Sequence, residues 1–184
     1  ADLKLGKLDL MFGYHMEDDP ALVSHRLSRE ETVLAVPEPL AAECLSPEEI
    51  RGFKEEGIVS LRPFSGCPFV RMDADTWMGE QFDRYCREDG FDPKIFVISQ
   101  SVLTVLECCA EGIGATLVPA GYLDHLMAEQ RRGMVFFRWR YPDIIPSGAV
   151  LHLKSSYITK AAMDFVKCSQ KICGEEESLW NGFF

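Results

Sequence analysis

The sequence predicts an α/β fold built on open, mostly parallel sheets, and three observations predict it. Strand-like and helix-like runs alternate along the 184 residues. Several strand runs are apolar almost without a break, as strands covered on both faces are. Helix starts and stops are marked by hydroxyl caps, glycine and proline. The stretch Val97–Pro119 shows all three. A strand is followed by Ser99-Gln100-Ser101, then by a helix with Val102, Val105, Leu106, Cys109 and Ile113 on one face. Gly112 and Gly114 end that helix, and Pro119 closes the next strand, Ala115–Val118.

The other elements follow in order. Leu8, Leu10 and Phe12 alternate with Asp9, Met11 and Gly13, which reads as a short strand. Gly6 ends a helix of which only Asp2–Leu5 remains, so the chain is expected to begin inside an element. Thr32–Val36 is a strand that Pro37 and Pro39 are expected to stop. Ser46-Pro47-Glu48-Glu49 opens a helix, which Gly52 is expected to keep short. Ile58–Leu61 reads as a strand leading into the turn-rich run from Arg62 to Pro68. Asp75 caps a helix to about Glu88, with Met78, Phe82, Tyr85 and Cys86 on its apolar side. Strands are expected at Ile95–Ile98, Met134–Trp139 and Ala149–Leu153, and a short helix around Tyr122–Ala128. A last helix runs from a cap at Ser155 or Ser156 to about Ile172, with Ile158, Ala162, Phe165, Val166 and Ile172 inward. Beyond Gly174 lies an acidic and apolar tail containing Trp180 and Phe184.

Bulk properties exclude several functions. A hydrophobic content of 47% indicates a folded chain. A net charge of −10 argues against this segment gripping nucleic acid, because phosphate contacts need a basic face. No apolar run approaches the roughly 20 residues that span a bilayer, and the N-terminus lacks a signal-peptide layout. Seven cysteines, odd in number and irregularly spaced, do not form a secreted disulfide framework, so a cytoplasmic setting is expected. The four histidines lack metal-ligand spacing, and Gly112-x-Gly114 follows its helix where a dinucleotide fingerprint precedes one. Neither a phosphate-binding Gly-rich loop nor a Gly-x-Ser-x-Gly elbow is present. No metal, cofactor or catalytic activity is expected.

Three motifs in order carry a resemblance. They are Leu5-Gly6-Lys7-Leu8-Asp9-Leu10; Leu27 through Pro37 with Pro39-Leu40-Ala41; and Thr104-Val105-Leu106 through Gly112-Ile113-Gly114-Ala115-Thr116-Leu117-Val118-Pro119. From about Leu5 to Ile172 the chain resembles the effector-binding domain of LysR-type transcriptional regulators. The resemblance implies a two-lobed periplasmic-binding-protein-like (type 2) fold that binds small effectors between its lobes. Lobe one would hold residues 1–55 and 135–184, and lobe two 56–134. The winged helix-turn-helix that normally precedes such a domain is absent from the sequence. So are the first strand and most of the first helix of lobe one, which is expected to be truncated at its front. The resemblance further implies a homo-oligomer, dimer or tetramer, that meets DNA only through the absent N-terminal domain.

In an open α/β sheet the cleft lies outside the carboxyl ends of parallel strands. Three loops qualify: Ser99, Gln100 and Ser101; Phe64, Ser65 and Gly66; and Gly13, Tyr14 and His15. The first two offer neutral donors that suit a carboxylate or other small anion, and in the resemblance their positions line the effector cleft. Thr116 faces either the cleft or the core, and Arg62 and Arg71 either neutralise an acidic effector or stand in solvent. Two other functions remain open. One is a solute-binding protein of a transport system with the same fold. The other is a thiol-based redox sensor acting through Cys67, which sits between Gly66 and Pro68.

Overall fold

Two contact-dense units divide the chain: Ala1–Glu30 with Ile145–Phe183, and Glu31–Ile144. The computed structural model describes residues 2–14, 19–27, 31–140 and 148–176, with backbone alone for Tyr14 and 174–176. The elements in chain order begin with β1 (Met11–Tyr14), β2 (Leu22–Arg26), β3 (Thr32–Pro37), α1 (Glu38–Cys44) and α2 (Pro47–Glu56). Then come β4 (Pro68–Met72), α3 (Trp77–Asp89), β5 (Lys94–Ser99), α4 (Val102–Ala110) and β6 (Thr116–Pro119). The chain continues through α5 (Ala128–Arg132), β7 (Met134–Arg138), β8 (Gly148–Leu153) and α6 (Lys160–Glu176). Tight 3-10 turns occupy Arg62–Phe64 and Ala120–His125.

In the first unit β8 is central and antiparallel to both neighbours, with Met11 opposite Leu151 on β1 and Leu22 opposite Leu153 on β2. One sheet face packs Ala149 and Leu151 with Leu3, flanked by Met11, Leu22 and Leu153. On the other face Phe12 meets Phe165 of α6 edge-on at 5.7 Å. Of the side expected to be the core of this last helix only Val166 is fully buried; Phe165 and Ile172 are about half exposed (47% and 55%). Its cap is Thr159, whose hydroxyl accepts from the N–H of Ala162 at 3.1 Å.

The same sheet brings two histidines together. Nε2 of His152 lies 3.1 Å from Nε2 of His25, and Nδ1 of His152 lies 2.9 Å from the carbonyl oxygen of Leu153. One ring nitrogen must donate and the other accept, so the contact requires one of the two Nε2 atoms to be unprotonated. Burial, and then the neighbouring His152, hold the His25 pKa below its ordinary value of 6.5. The unfolded chain therefore binds a proton more readily than the folded one across this range, and the stabilisation is present above 6.5 and lost as pH falls below it. Denaturation at pH 7.5 and pH 5.5 is expected to show a fall in stability that His25→Gln reduces; an equal fall in the variant would refute this origin.

In the second unit β3 is central and wholly buried, antiparallel to β6 (Val33 opposite Val118) and to β7 (Val36 opposite Val135). β4 and β5 run parallel. A parallel bridge from Phe69 to Ala115 joins β4 to the residue just before β6. The N–H of Val70 donates to the carbonyl of Ala115 at 2.9 Å, and the N–H of Ala115 to that of Pro68 at 2.8 Å. Gly114 permits that approach, because a Cβ there would sit 2.8 Å from the Pro68 carbonyl oxygen.

Strand direction thus departs from the mostly parallel expectation: β3 and β8 each run antiparallel to both partners. An apolar run reports burial on both faces, which a strand of either direction can have. Residues 31–55 and 135–140 lie in the second unit, where β3 and β7 pair with each other and β3 pairs with β6.

Other differences are local. Pro37 and Pro39 open α1 where they were expected only to stop a strand; within a first turn the missing proline N–H has no helical acceptor to lose. α2 runs through Gly52 to Glu56, helped by a full capping box in which Ser46 and Glu49 bond reciprocally. Ile58–Leu61 is not a strand; Ile58 alone bridges to Trp139 before the 3-10 turn. β2, α1 and β4 were not anticipated. His15 and the tail beyond Glu176 lie outside the described residues.

Candidate functional site

β4 and β5 end side by side. Met72 pairs with Ser99, and the N–H of Asp73 donates to the carbonyl of Ser99 at 2.9 Å. Each strand then feeds a helix through a polar turn. After β5, the Ser99 hydroxyl accepts from the N–H of Ser101 at 3.1 Å, and the Ser101 hydroxyl caps α4 by accepting from Thr104 at 3.3 Å. Gln100 and Ser101 are exposed and Ser99 half-buried. The next N–H groups, of Val102 and Leu103, stand in the first helical turn where no intrahelical acceptor exists.

After β4, the turn is Asp73-Ala74-Asp75-Thr76. The Asp73 carboxylate accepts from the N–H of Asp75 at 3.1 Å. The Thr76 hydroxyl donates to the Asp73 carbonyl at 2.6 Å and caps α3 by accepting from Gly79 at 3.1 Å. The cap is therefore Thr76, one residue after the expected Asp75. Gly79 presses α3 onto the strand end: a Cβ there would sit 1.9 Å from the Asp73 carbonyl oxygen. Two parallel strands and two capped helices thus point one edge of the second unit outward, the geometry that gathers backbone donors for a small polar group.

The edge is not uniformly suited to an anion. The turn that carries Asp73 and Asp75 runs beside Ser99, so two acidic residues stand in the loop next to the neutral donors of Ser99–Ser101. Neither arginine considered as a neutralising group is uncommitted: Arg71 pairs with Asp83 at 2.8 Å, and Arg62 donates to the Asp89 carbonyl at 2.6 Å.

Of the remaining expected residues, Phe64, Ser65 and Thr116 lie apart from this edge within the second unit. Phe64 is 0% exposed and packs against Phe53 and Phe137, with ring centroids 6.4 and 5.4 Å away. Ser65 is exposed, but it stands before β4, at the amino end of the strand whose carboxyl end meets Ser99. Thr116 is 0% exposed; it pairs with Ala35 in the buried sheet, and its hydroxyl has no hydrogen-bond partner among the described residues. Tyr14 ends β1 in the other unit. Cys67 is 1% exposed, and burial pushes its thiol up, so it lacks the accessible, electropositive setting of a lone sensor.

Asp73 went unnoticed in the sequence because β4 did, although the helix start was placed at Asp75. The signal was present: the mainly apolar run Pro68–Met72, then Asp-x-Asp-Thr before an amphipathic helix.

The chain belongs to the LysR substrate binding domain family, whose profile matches residues 1–173. Domains of this family are regulatory and ligand-sensing, with the two-lobed periplasmic-binding-protein-like fold. No curated protein matches the chain. Among solved structures it is similar to the effector-binding domain of QuiR in complex with shikimate, at 16% identity and a TM-score of 0.67, covering 95% of this chain and 76% of that one. It is similar to HinK, a LysR family transcriptional regulator from Pseudomonas aeruginosa, at 21% identity and a TM-score of 0.64, covering 95% and 55%. The third is full-length CbnR complexed with its target DNA, at 11% identity and a TM-score of 0.64, covering 94% and 55%. The chain thus spans about half the length of the full regulators it matches. No helix among the described residues is long and apolar enough to cross a membrane.

Proposed function

We propose that this domain senses a small effector for a cytoplasmic LysR-type transcriptional regulator, and that the carboxyl edge of β4 and β5 supplies the second unit's contacts to it. The observation that carries the reading is the paired strand ending, Met72 beside Ser99, each strand feeding a capped helix. Ser99, Gln100, Ser101 and the free first-turn N–H groups of α4 suit a carboxylate or carbonyl on the effector. Asp73 and Asp75 suit a hydroxyl or ammonium group on the same molecule. The best-matched class is therefore a hydroxylated or amino-substituted carboxylate rather than a bare anion. The shikimate held by the QuiR domain is a hydroxylated carboxylate of this kind.

Effector binding acts by population shift, favouring one arrangement of a homo-oligomer on DNA that a separate DNA-binding domain contacts. The exposed outer face of the edge strand β5, with Phe96 67% and Ile98 52% exposed, supports self-association there. The domain has no catalytic role in this reading.

Thermal-shift measurements against hydroxy acids, amino acids and simple carboxylates test it. At least one hydroxy or amino acid is expected to raise the melting temperature, and Ser99→Ala with Ser101→Ala to abolish most of that rise. Loss of the Ser101 cap lowers intrinsic stability by about 1 kcal/mol, so each shift is read against the variant's own baseline. An undiminished rise in the double variant would place the effector elsewhere.

A further inference from the structure

One pair of nucleophilic side chains lies outside the candidate site. Cys44 ends α1 and is half-buried; Cys67, in the turn before β4, is 1% exposed. The Cys44 thiol lies close enough to Cys67 to help hold that thiol protonated. Cys44 Sγ also lies 3.4 Å from where a Cβ on Gly66, the neighbour of Cys67, would be. The Cys67 thiol additionally donates to the Leu40 carbonyl at 3.6 Å, which holds it against α1. One sulfur is thus reached from solvent, and the other waits beneath it on a different element.

We propose that Cys44 and Cys67 form a reversible oxidation site, in which a hydroperoxide converts the two thiols into a disulfide tying α1 to the turn before β4. The Cys44 thiolate attacks the peroxide oxygen, the O–O bond breaks, and the alkoxide or hydroxide released takes up the Cys44 proton. The resulting sulfenic acid is attacked by the Cys67 sulfur. The S–O bond breaks as the S–S bond forms, and the hydroxyl leaves as water with the Cys67 proton. Both thiols are oxidised by one electron each, and the peroxide takes up the pair.

The order is fixed by access: Cys44 meets the oxidant and Cys67 resolves. Burial pushes the Cys67 thiol up, with the Cys44 thiol and the Glu43 carboxylate adding to it, so Cys67 stays protonated until Cys44 is oxidised. The site is separate from the effector edge, and its test does not depend on that reading.

The test is hydrogen peroxide treatment of the chain followed by non-reducing tryptic mapping. Cys44 and Cys67 fall in different tryptic peptides, 30–51 and 55–71, each with a single cysteine. The expected product is these two peptides joined, lighter by two hydrogens than their sum and separated again by dithiothreitol. In Cys67→Ser, Cys44 is expected to be trapped as a sulfenic acid by dimedone; in Cys44→Ser, Cys67 is expected to stay unmodified. The proposal is overturned if peroxide oxidises the exposed Cys168 without joining peptides 30–51 and 55–71. It is also overturned if Cys67 oxidises as readily in Cys44→Ser as in the parent. Mapping of the unaltered chain decides the matter even if a variant fails to fold.

Discussion

Replacing Gly79 by alanine is expected to destabilise the second unit by about 3 kcal/mol, the upper end of what overpacking usually costs. The reason is the backbone position of α3. A Cβ at this residue would sit 1.9 Å from the Asp73 carbonyl oxygen and 2.8 Å from that of Met72. Both atoms belong to main chain fixed by pairing, since Met72 is registered with Ser99 and the Asp73 N–H is bonded to the Ser99 carbonyl. No side chain can swing aside, so helix and strand end must separate. Gly52→Ala is the control: nothing lies within 4 Å of a Cβ there, and alanine is worth up to about 1 kcal/mol over glycine inside a helix. Urea denaturation of the two variants should move in opposite directions. Equal, small changes would mean that α3 does not approach the strand end this closely. Because Asp73 lies in the effector edge, Gly79→Ala should also weaken any effector-induced thermal shift.

Phe64→Ala is expected to cost about 3–5 kcal/mol, the usual range for emptying an aromatic site in a core. Phe64 has no exposed surface, and Phe53 and Phe137 close over it from α2 and β7. Phe53 and Phe137 also meet each other edge-on at 6.2 Å, so truncating one ring leaves the other two without a shared partner. If Phe64 lined an effector cleft instead, its loss would change ligand response with little change in stability. Ser65→Ala, one residue on and exposed, should stay within about 0.5 kcal/mol of the parent. The contrast between adjacent residues separates packing from ligand contact.

How much of this was legible in the sequence depended on whether the signal was local. Ser101 as the start of α4, the Ser46–Glu49 box and the stop at Gly112 rest on bonds within a few residues, and each is where the spacing placed it. The full burial of Phe64 was not legible, because its aromatic side chain lies in a polar, turn-rich run. Only the rings from residues 53 and 137 make it a core position. β4 was hidden by Pro68 and Cys67, which read as turn, although its pairing with β5 and its bridge to Ala115 hold it in the sheet.

By itself the sequence determined the alternation of strand and helix, the family, and the turn Ser99–Ser101 as the start of a capped helix. The alternation and the turn follow from periodicity and caps, which act over less than two helical turns, while the family rests on its three motifs in order. The tertiary structure decided the direction of β3 and β8 and the border between the units at residues 30–31. It also decided the pairing of Asp73 with Ser99, which puts an acidic turn beside the neutral donors. Hydrogen bonds between strands far apart in the chain make those choices. An apolar run carries the fact of burial, but neither its partner nor its direction.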